Sequence, residues 1–537
     1  MKRKEKIARS TIGVSISTMV SRILGYIRDM LTARLLGAGM MADAVFVAYR
    51  IPNLFRSLLG EGALSSSFIP VFVEFMKTKG EEETKKFVKS IFITFLTVLT
   101  LLTIAGWYFA PEIVRLIAPG FLNSPEKLVL TINLTRIIFP FMIAIGMGAL
   151  ALGMLNSLGR FIIPALSPCM LSVSEITFIL FICPYMEKPV YGLAVSIMIG
   201  GFAQLAFQLP ELIKKGYFSF SILDGLKNLR SMVNHPGVKK VCMLMLPAAA
   251  GLSIGQVNMF VDTILASLLR EGSVTVIYFA SRVMLLPLSL FGVAIATVSL
   301  PLMAESSVES DYNKFKSTMS SGLRMIFFTM LPSTFGLMFF GLPIIRVLFE
   351  HGRFKAYDSV ITSQALFFFS IGLIAFAGVK VVVSAFYALK DTLTPVLVAV
   401  FAMVLNLLLN LIFIIPMGVG GIALATSLAA FFNLFLLMYE LRAKIGALGI
   451  SKMAVSFIKT IFASLPVIAV CILAETAFCN TSKYLQVVIT LPLAVIVYLA
   501  AAYILKCKEL NYILNAVLNR ASKIPSAAGE SRTTQQG

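Results

Sequence analysis

Charge is what this sequence has least of. Only 13% of its 537 residues are Asp, Glu, Lys or Arg, about half the share usual in a soluble chain. That excludes a disordered chain and argues against a soluble globular enzyme. Histidine is nearly missing too: His235 and His351 are the only two, too few for a histidine-rich metal centre. Six cysteines (169, 183, 242, 471, 479 and 507) form no C-x-x-C pair, which excludes a disulfide framework. Several lie in apolar runs and read as small buried hydrophobes. No G-x-x-x-x-G-K-[ST], H-E-x-x-H or G-x-S-x-G occurs, so no residue is assigned a catalytic role and no resident cofactor is expected.

What is present is apolar. Hydrophobic residues make up 58% of the chain and the mean hydropathy is +0.90. Twenty-two prolines and 36 glycines would damage soluble helices, whereas membrane helices tolerate both. The expectation is an all-α polytopic membrane protein. The basic N-terminus MKRKEKIARS resembles that of a signal peptide. The apolar stretch after it is too long and carries Arg22, Arg28 and Asp29, so it reads as a retained first span.

Apolar stretches near or above 18 residues predict fourteen spans. The first seven lie at about 8–36, 41–73, 88–109, 130–155, 162–183, 190–212 and 239–268. The others lie at about 273–301, 320–342, 360–388, 393–415, 419–440, 454–475 and 485–505.

The net charge of +20 suits cytoplasmic loops better than nucleic acid, for which no binding pattern is visible. Segments 1–9, 74–89, 211–240, 440–459 and the tail from Lys506 hold five, five, six, four and five basic residues. All of them fall on the side of the termini, and the opposing loops at 110–130, 184–189 and 37–42 are balanced or uncharged. Both termini are therefore predicted to be cytoplasmic. The loop at 342–358, with three basic residues, dissents.

The chain also repeats itself at an offset near 231. "AYR" ending at Arg50 matches "ASR" ending at Arg282, and "IPVFVE" from Ile69 matches "LPLMAE" from Leu300. "MLNSLGRFIIP" ending at Pro164 matches "AFYALKDTLTP" ending at Pro395. A unit of six spans, an even number, gives two copies of the same orientation. The expected domains are a six-helix lobe (1–215), a cytoplasmic linker (216–237), a second six-helix lobe (238–445), two additional helices (446–508) and a cytoplasmic tail (509–537). A transporter with a groove between two lobes is the reading this duplication favours.

Ionisable groups inside spans are costly and mark function. The first two spans hold Arg22, Arg28, Asp29, Arg34, Asp43, Arg50, Arg56 and Glu61, five arginines against three carboxylates. Arg34 and Arg50 suit snorkelling near span ends. Arg282, the repeat partner of Arg50, adds a cation from the other copy. Arginine forks bind phosphate bidentately and keep their charge, which points to an amphiphilic ligand with a phosphate or diphosphate. A second constellation comprises Asp262, with Asn258 one turn before it, and Asn406, Asn410 and Thr426. Those oxygens suit a monovalent cation or a coupled proton, or else polar packing between helices.

"SRILGYIRD" (21–29), "GAGMMADAVFVAYRIPNLFRSLLGEGALSSSFIPVF" (37–72), "NSLGRFIIPALSP" (156–168), "QLP" (208–210) and "YFASRVMLLPLSLFGVAIATVSLPLMA" (278–304) resemble the MurJ/MviN family. These are bacterial lipid II flippases of the multidrug/oligosaccharidyl-lipid/polysaccharide exporter superfamily. The resemblance implies two lobes around a cavity, plus two helices forming a groove for the undecaprenyl tail. It implies movement of an undecaprenyl-diphosphate-linked disaccharide-pentapeptide to the outer leaflet of the bacterial inner membrane by alternating access. The family's cavity arginines fall on Arg22, Arg28, Arg56 and Arg282, and its acids on Asp29, Asp43 and Glu61. A family cation site would fall on Asp262, Asn406, Asn410 and Thr426, with sodium or the membrane potential as the coupling force. Ser281 stands where some members have an acid, removing one partner from Arg282. The implied partners are lipid II and the bilayer, with peptidoglycan synthases or division and elongation proteins as candidates, and one chain as the transport unit. The alternatives left open are another polyprenyl-diphosphate glycan flippase, a drug or cation antiporter, and a non-transporting scaffold.

Overall fold

A bilayer offers its solutes no hydrogen-bond partner, so a spanning chain must satisfy its backbone internally. The computed structural model describes residues 2–58, 64–217, 222–309, 311–478 and 481–521, and among these it is helical without a strand. The first helices are α1 (Lys2–Leu36), α2 (Met40–Leu58), α3 (Leu64–Thr78), α4 (Gly80–Tyr108), α5 (Ala110–Ile117) and α6 (Pro125–Ile138). There follow α7 (Phe141–Ser157), α8 (Ile162–Phe181), α9 (Pro189–Lys214), α10 (Ile222–Lys227), α11 (Leu229–Val233) and α12 (Pro236–Ser267). The next are α13 (Ser273–Pro287), α14 (Val293–Val308), α15 (Tyr312–Phe349), α16 (Ala356–Ile371) and α17 (Leu373–Ala388). The last are α18 (Leu393–Met417), α19 (Val419–Ile445), α20 (Ile450–Ala477), α21 (Lys483–Ile504) and α22 (Lys508–Ala521).

Ten of the described helices or joined helix pairs are long and apolar enough to cross a bilayer, and the pair α16–α17, bent by 41°, makes an eleventh. The remaining three of the fourteen expected spans correspond to α1, to α2 with α3, and to α12. The first two of these carry the arginines and carboxylates already singled out, which lower their apolar character. The expected span at 41–73 is two helices on either side of residues 59–63, and Glu61 lies outside the described residues.

By contact the chain forms two compact units. The first comprises Met1–Val283, Ile345–Ala365 and Ala399–Ala429. Its core joins Phe68, Phe72 and Phe87 to Ile91, Met154 and Val241, all fully buried or nearly so. The second comprises Met284–Ile344, Leu366–Val398 and Ala430–Gly537, with α15 packed on α20 and α21 through Phe328, Phe340, Val467 and Tyr498. This division by packing is drawn on a different criterion from the repeat-based lobes.

The repeat has a structural signature inside the first unit. Met40 N–H donates to Glu271 Oε1, Thr275 donates to Asp43, and the ring of Phe46 stacks on Tyr278 at 4.1 Å. In each pair the partners stand 231 or 232 residues apart, the offset of the repeat itself. Residues at equivalent positions of the two copies thus meet where α2 approaches α13.

Candidate substrate and coupling sites

Arg28, Asp29 and Arg282 are brought together by α1 and α13. Asp29 is the hub: its Oδ1 accepts from Arg28 Nε at 3.1 Å and Nη2 at 2.8 Å, and its Oδ2 lies 3.4 Å from Arg282 Nε. Tyr278, one turn before Arg282, accepts from that guanidinium at 2.9 and 3.1 Å and reaches Asp29 Oδ1 at 3.5 Å. Tyr26 donates to the Arg282 carbonyl at 3.3 Å. Asp29 is thus the carboxylate that pairs with Arg282 among the described residues. The Arg282 side chain is 38% exposed against 13% for Arg28, so it is the more open of the two forks. Arg22 lies one turn before Tyr26 on an exposed face of α1, and Arg56 donates to Asn53 Oδ1 at 2.8 Å.

Two contributors escaped the sequence reading. Glu175, in the middle of α8, places Oε1 3.4 Å from Arg28 Nη1 with its side chain 9% exposed. A lone acid in "CMLSVSEITFILF" is a signal of the kind applied to the first spans, and it identifies Glu175 as readily. Tyr278 gave no such signal, because a tyrosine in an apolar span is unremarkable.

Asp43 serves another purpose. It is 1% exposed, and its partners are Lys127 Nζ at 2.8 Å, Gly272 N at 2.8 Å, Thr275 N at 2.9 Å and Thr275 Oγ1 at 2.6 Å. These partners are a lysine, two backbone amides and a hydroxyl rather than an arginine fork. The first amides of α13 have no partner within their own helix, and a carboxylate satisfies them while favouring the positive end of the helix dipole. Lys127, counted as part of a balanced loop, becomes the buried counter-ion. Backbone packing tightens the same end of the molecule: Arg353 N–H donates to Arg34 O at 3.0 Å. At Gly272 (φ +88°) a Cβ would stand 2.3 Å from Ala38 O, so only glycine fits. These contacts latch α2 to the start of α13.

Asp262 meets its expected neighbours. Asn410 Nδ2 donates to Asp262 Oδ1 at 3.3 Å and to Asn406 Oδ1 at 2.9 Å. Thr426 Oγ1 lies 3.5 Å from Asp262 Oδ2 and accepts from Asn406 Nδ2 at 3.3 Å. Asn406 and Asn410 are fully buried on one face of α18, whose other face exposes Phe401, Leu408, Leu411 and Ile415. Asn258 Oδ1 and Asn410 Oδ1 are buried without a hydrogen-bond partner, as is Arg50 Nε. Unsatisfied buried oxygens beside a carboxylate are the donor chemistry a hard cation uses, so the residues fit one.

A sequence model of the family described as "Lipid II flippase MurJ" matches residues 32–499. The chain belongs to the MurJ family of lipid II flippases. A MurJ from Burkholderia cenocepacia, named a lipid II flippase, is 35% identical over 436 residues, 81% of this chain and 84% of its own length. A probable MurJ from Buchnera aphidicola subsp. Schizaphis graminum is 34% identical over 94% of this chain and 98% of its own length. The solved structure titled "Lipid II flippase MurJ, inward closed conformation" superposes with a TM-score of 0.75 at 28% identity, covering 95% of this chain and all of that one. An inward-facing multidrug transporter of the wider exporter superfamily, 15% identical with a TM-score of 0.67 over 82% of this chain and 98% of its own, shares the fold. Membership of the MurJ family makes the chain a multi-pass protein of the bacterial inner membrane and a transporter rather than an enzyme.

Proposed function

We infer that the chain carries lipid II from the cytoplasmic to the outer leaflet by alternating access, and that Arg28 and Arg282 clamp its diphosphate. The convergence of these two arginines on Asp29 carries this reading. Asp29 holds both forks in register while no phosphate is bound, and Tyr278 keeps the Arg282 fork turned toward it. A diphosphate offers each guanidinium a pair of oxygens. Charge-assisted hydrogen bonds of this kind contribute roughly 1.5–3 kcal/mol each. Arg22 and Arg56 extend the basic lining, with Glu61 assigned to it by the family motif.

On the predicted orientation, with both termini cytoplasmic, α1 reaches the outer face at Leu36. The Asp43 latch then closes the outer end, and its opening is the step that releases cargo outward. The lobes (1–215 and 238–445) would move about the contact of α2 with α13, while residues 446–508 present an apolar surface to the prenyl tail. Asp262, with Asn406, Asn410 and Thr426, is assigned to a coupling cation, with sodium the candidate that the family resemblance implies. The membrane potential supplies about 2.3 kcal/mol per charge per 100 mV in addition. Peptidoglycan synthases or division and elongation proteins are the partners expected at its loops. An organic-cation exporter fits less well, because Arg22 and Arg56 add positive charge to a cluster that holds as many arginines as carboxylates.

The test is equilibrium binding of a long-chain polyprenyl diphosphate, with the polyprenyl alcohol as control, to the parent and to Arg28→Ala and Arg282→Ala. Each variant is expected to lose at least tenfold in affinity for the diphosphate and nothing for the alcohol. Parent-like affinity in both would refute the clamp.

A further inference from the structure

We propose that Glu175 is a positioning residue of the transport cycle: it competes with the substrate's diphosphate for Arg28 and thereby sets how readily the cargo leaves. This rests on the clamp reading above and goes beyond it. Arg28 presents one edge, Nε and Nη2, to Asp29, and its remaining nitrogen, Nη1, to Glu175 on α8. The two carboxylates therefore occupy both sides of the guanidinium. Asp29 and Glu175 are buried and Arg28 nearly so, at 7%, 9% and 13% side-chain exposure, so little water screens them.

The charge count decides the role. Arg28 and Arg282 carry two positive charges, and Asp29 and Glu175 two negative ones. Asp29 touches both arginines and is the structural hub, so its loss would scatter the clamp. Among the described residues Glu175 pairs only with Arg28, through one long contact at 3.4 Å, against 2.8 Å for the nearer Asp29 contact. It is the carboxylate an incoming diphosphate can displace at least cost. A diphosphate that takes Nη1 from Glu175 leaves a second anion beside itself. That repulsion weakens the complex and favours return of Arg28 to Glu175 when the cargo moves on. A carrier must release what it binds, so an internal competitor raises turnover at the expense of affinity.

The experiment measures polyprenyl diphosphate binding and lipid II translocation for the parent, Glu175→Gln and Glu175→Asp, with the polyprenyl alcohol as control. Removing the charge in Glu175→Gln is expected to tighten diphosphate binding roughly tenfold and to slow translocation severalfold, while Glu175→Asp returns most of the parent behaviour. The tightening should vanish in the Arg28→Ala background. A residue that merely neutralises Arg28 for the sake of folding gives the opposite sign, since its loss loosens the site. Unchanged or weaker binding in Glu175→Gln would overturn the proposal, as would equal tightening for the alcohol. Glu175→Asn supplies a second neutral side chain, and failure of both neutral variants to fold would assign Glu175 to packing and also overturn it. The clamp fails separately, if Arg28→Ala and Arg282→Ala bind the diphosphate as the parent does.

Discussion

Replacing Asp43 with alanine should unfasten α2 from the start of α13 by an amount the structure allows to be worked out. Three hydrogen bonds cross from this carboxylate to the start of α13, at 2.6, 2.8 and 2.9 Å. The fourth, from Lys127, joins α6 to α2 within the same copy and persists when the latch opens. Of the bonds Asp43 makes, only the three crossing ones therefore bias closed against open. At roughly 1 kcal/mol net for each, somewhat more for an ionised acceptor, their loss shifts the balance by about 3 kcal/mol, or roughly a hundredfold. Asp43→Asn keeps one acceptor oxygen and should shift it about half as far. The reporter is the rate at which an impermeant thiol reagent labels Ala42→Cys in a cysteine-free background, since Ala42 is 1% exposed beside the latch. Lys127→Met separates the two effects: it should lower fold stability while leaving the labelling rate near that of its parent. Equal labelling of Ala42→Cys with and without Asp43→Ala would refute the latch. Equal acceleration by Lys127→Met would point to general unfolding instead.

The other expectations concern coupling and the ion pairs that hold helix ends together. In vesicles under imposed sodium, proton and voltage gradients, Asp262→Asn should lose the ion dependence of the parent, and identical dependence in both would leave Asp262 a packing residue. Arg324→Ala should cost about 3–5 kcal/mol of stability in thermal unfolding, because it strands Glu509, a 4% exposed carboxylate that Arg324 holds at 2.5 Å and Ser456 at 2.9 Å. Asp391 caps α18 through the amides of Leu393 and Thr394 and pairs with Lys444. Partial burial raises its pKa, but the bonds from Lys444 and Thr394 outweigh that and hold it at about 2. A lowered folded pKa stabilises above the unfolded value near 3.9 and is lost as pH falls through the folded one. Asp391→Ala should therefore cost about 1 kcal/mol at neutral pH, a deficit that shrinks below about pH 4 and closes near pH 2 in parallel melts.

The helical class was legible because it leaves a mark on the sequence, as do the repeat and the arginines set in apolar runs. Apolar runs announce spans, a fixed offset announces duplication, and an arginine in an apolar run has few reasons to be there. Partnerships were less legible. Asp29 and Asp43 look alike in sequence, both acids in the first two spans, yet one organises arginines and the other caps a helix of the second copy. Only the approach of α13 distinguishes them. Lys127 is hidden for a related reason: near Glu126 in a balanced loop it reads as solvated, whereas folding buries it to 7% exposure. The Asp262 group was assembled from oxygen chemistry alone, and its members do lie within hydrogen-bonding reach of one another.

The central claim is that two arginines from the two copies of the repeat hold the diphosphate during transport. It is tested most directly by translocation of lipid II in proteoliposomes, at matched protein incorporation, for the parent, Arg28→Lys, Arg28→Ala, Arg282→Lys and Arg282→Ala. Lysine keeps the charge but loses the planar fork, so both lysine variants should retain partial flux. Both alanine variants should fall to the rate of protein-free vesicles. Undiminished translocation by Arg28→Ala and Arg282→Ala would contradict the account.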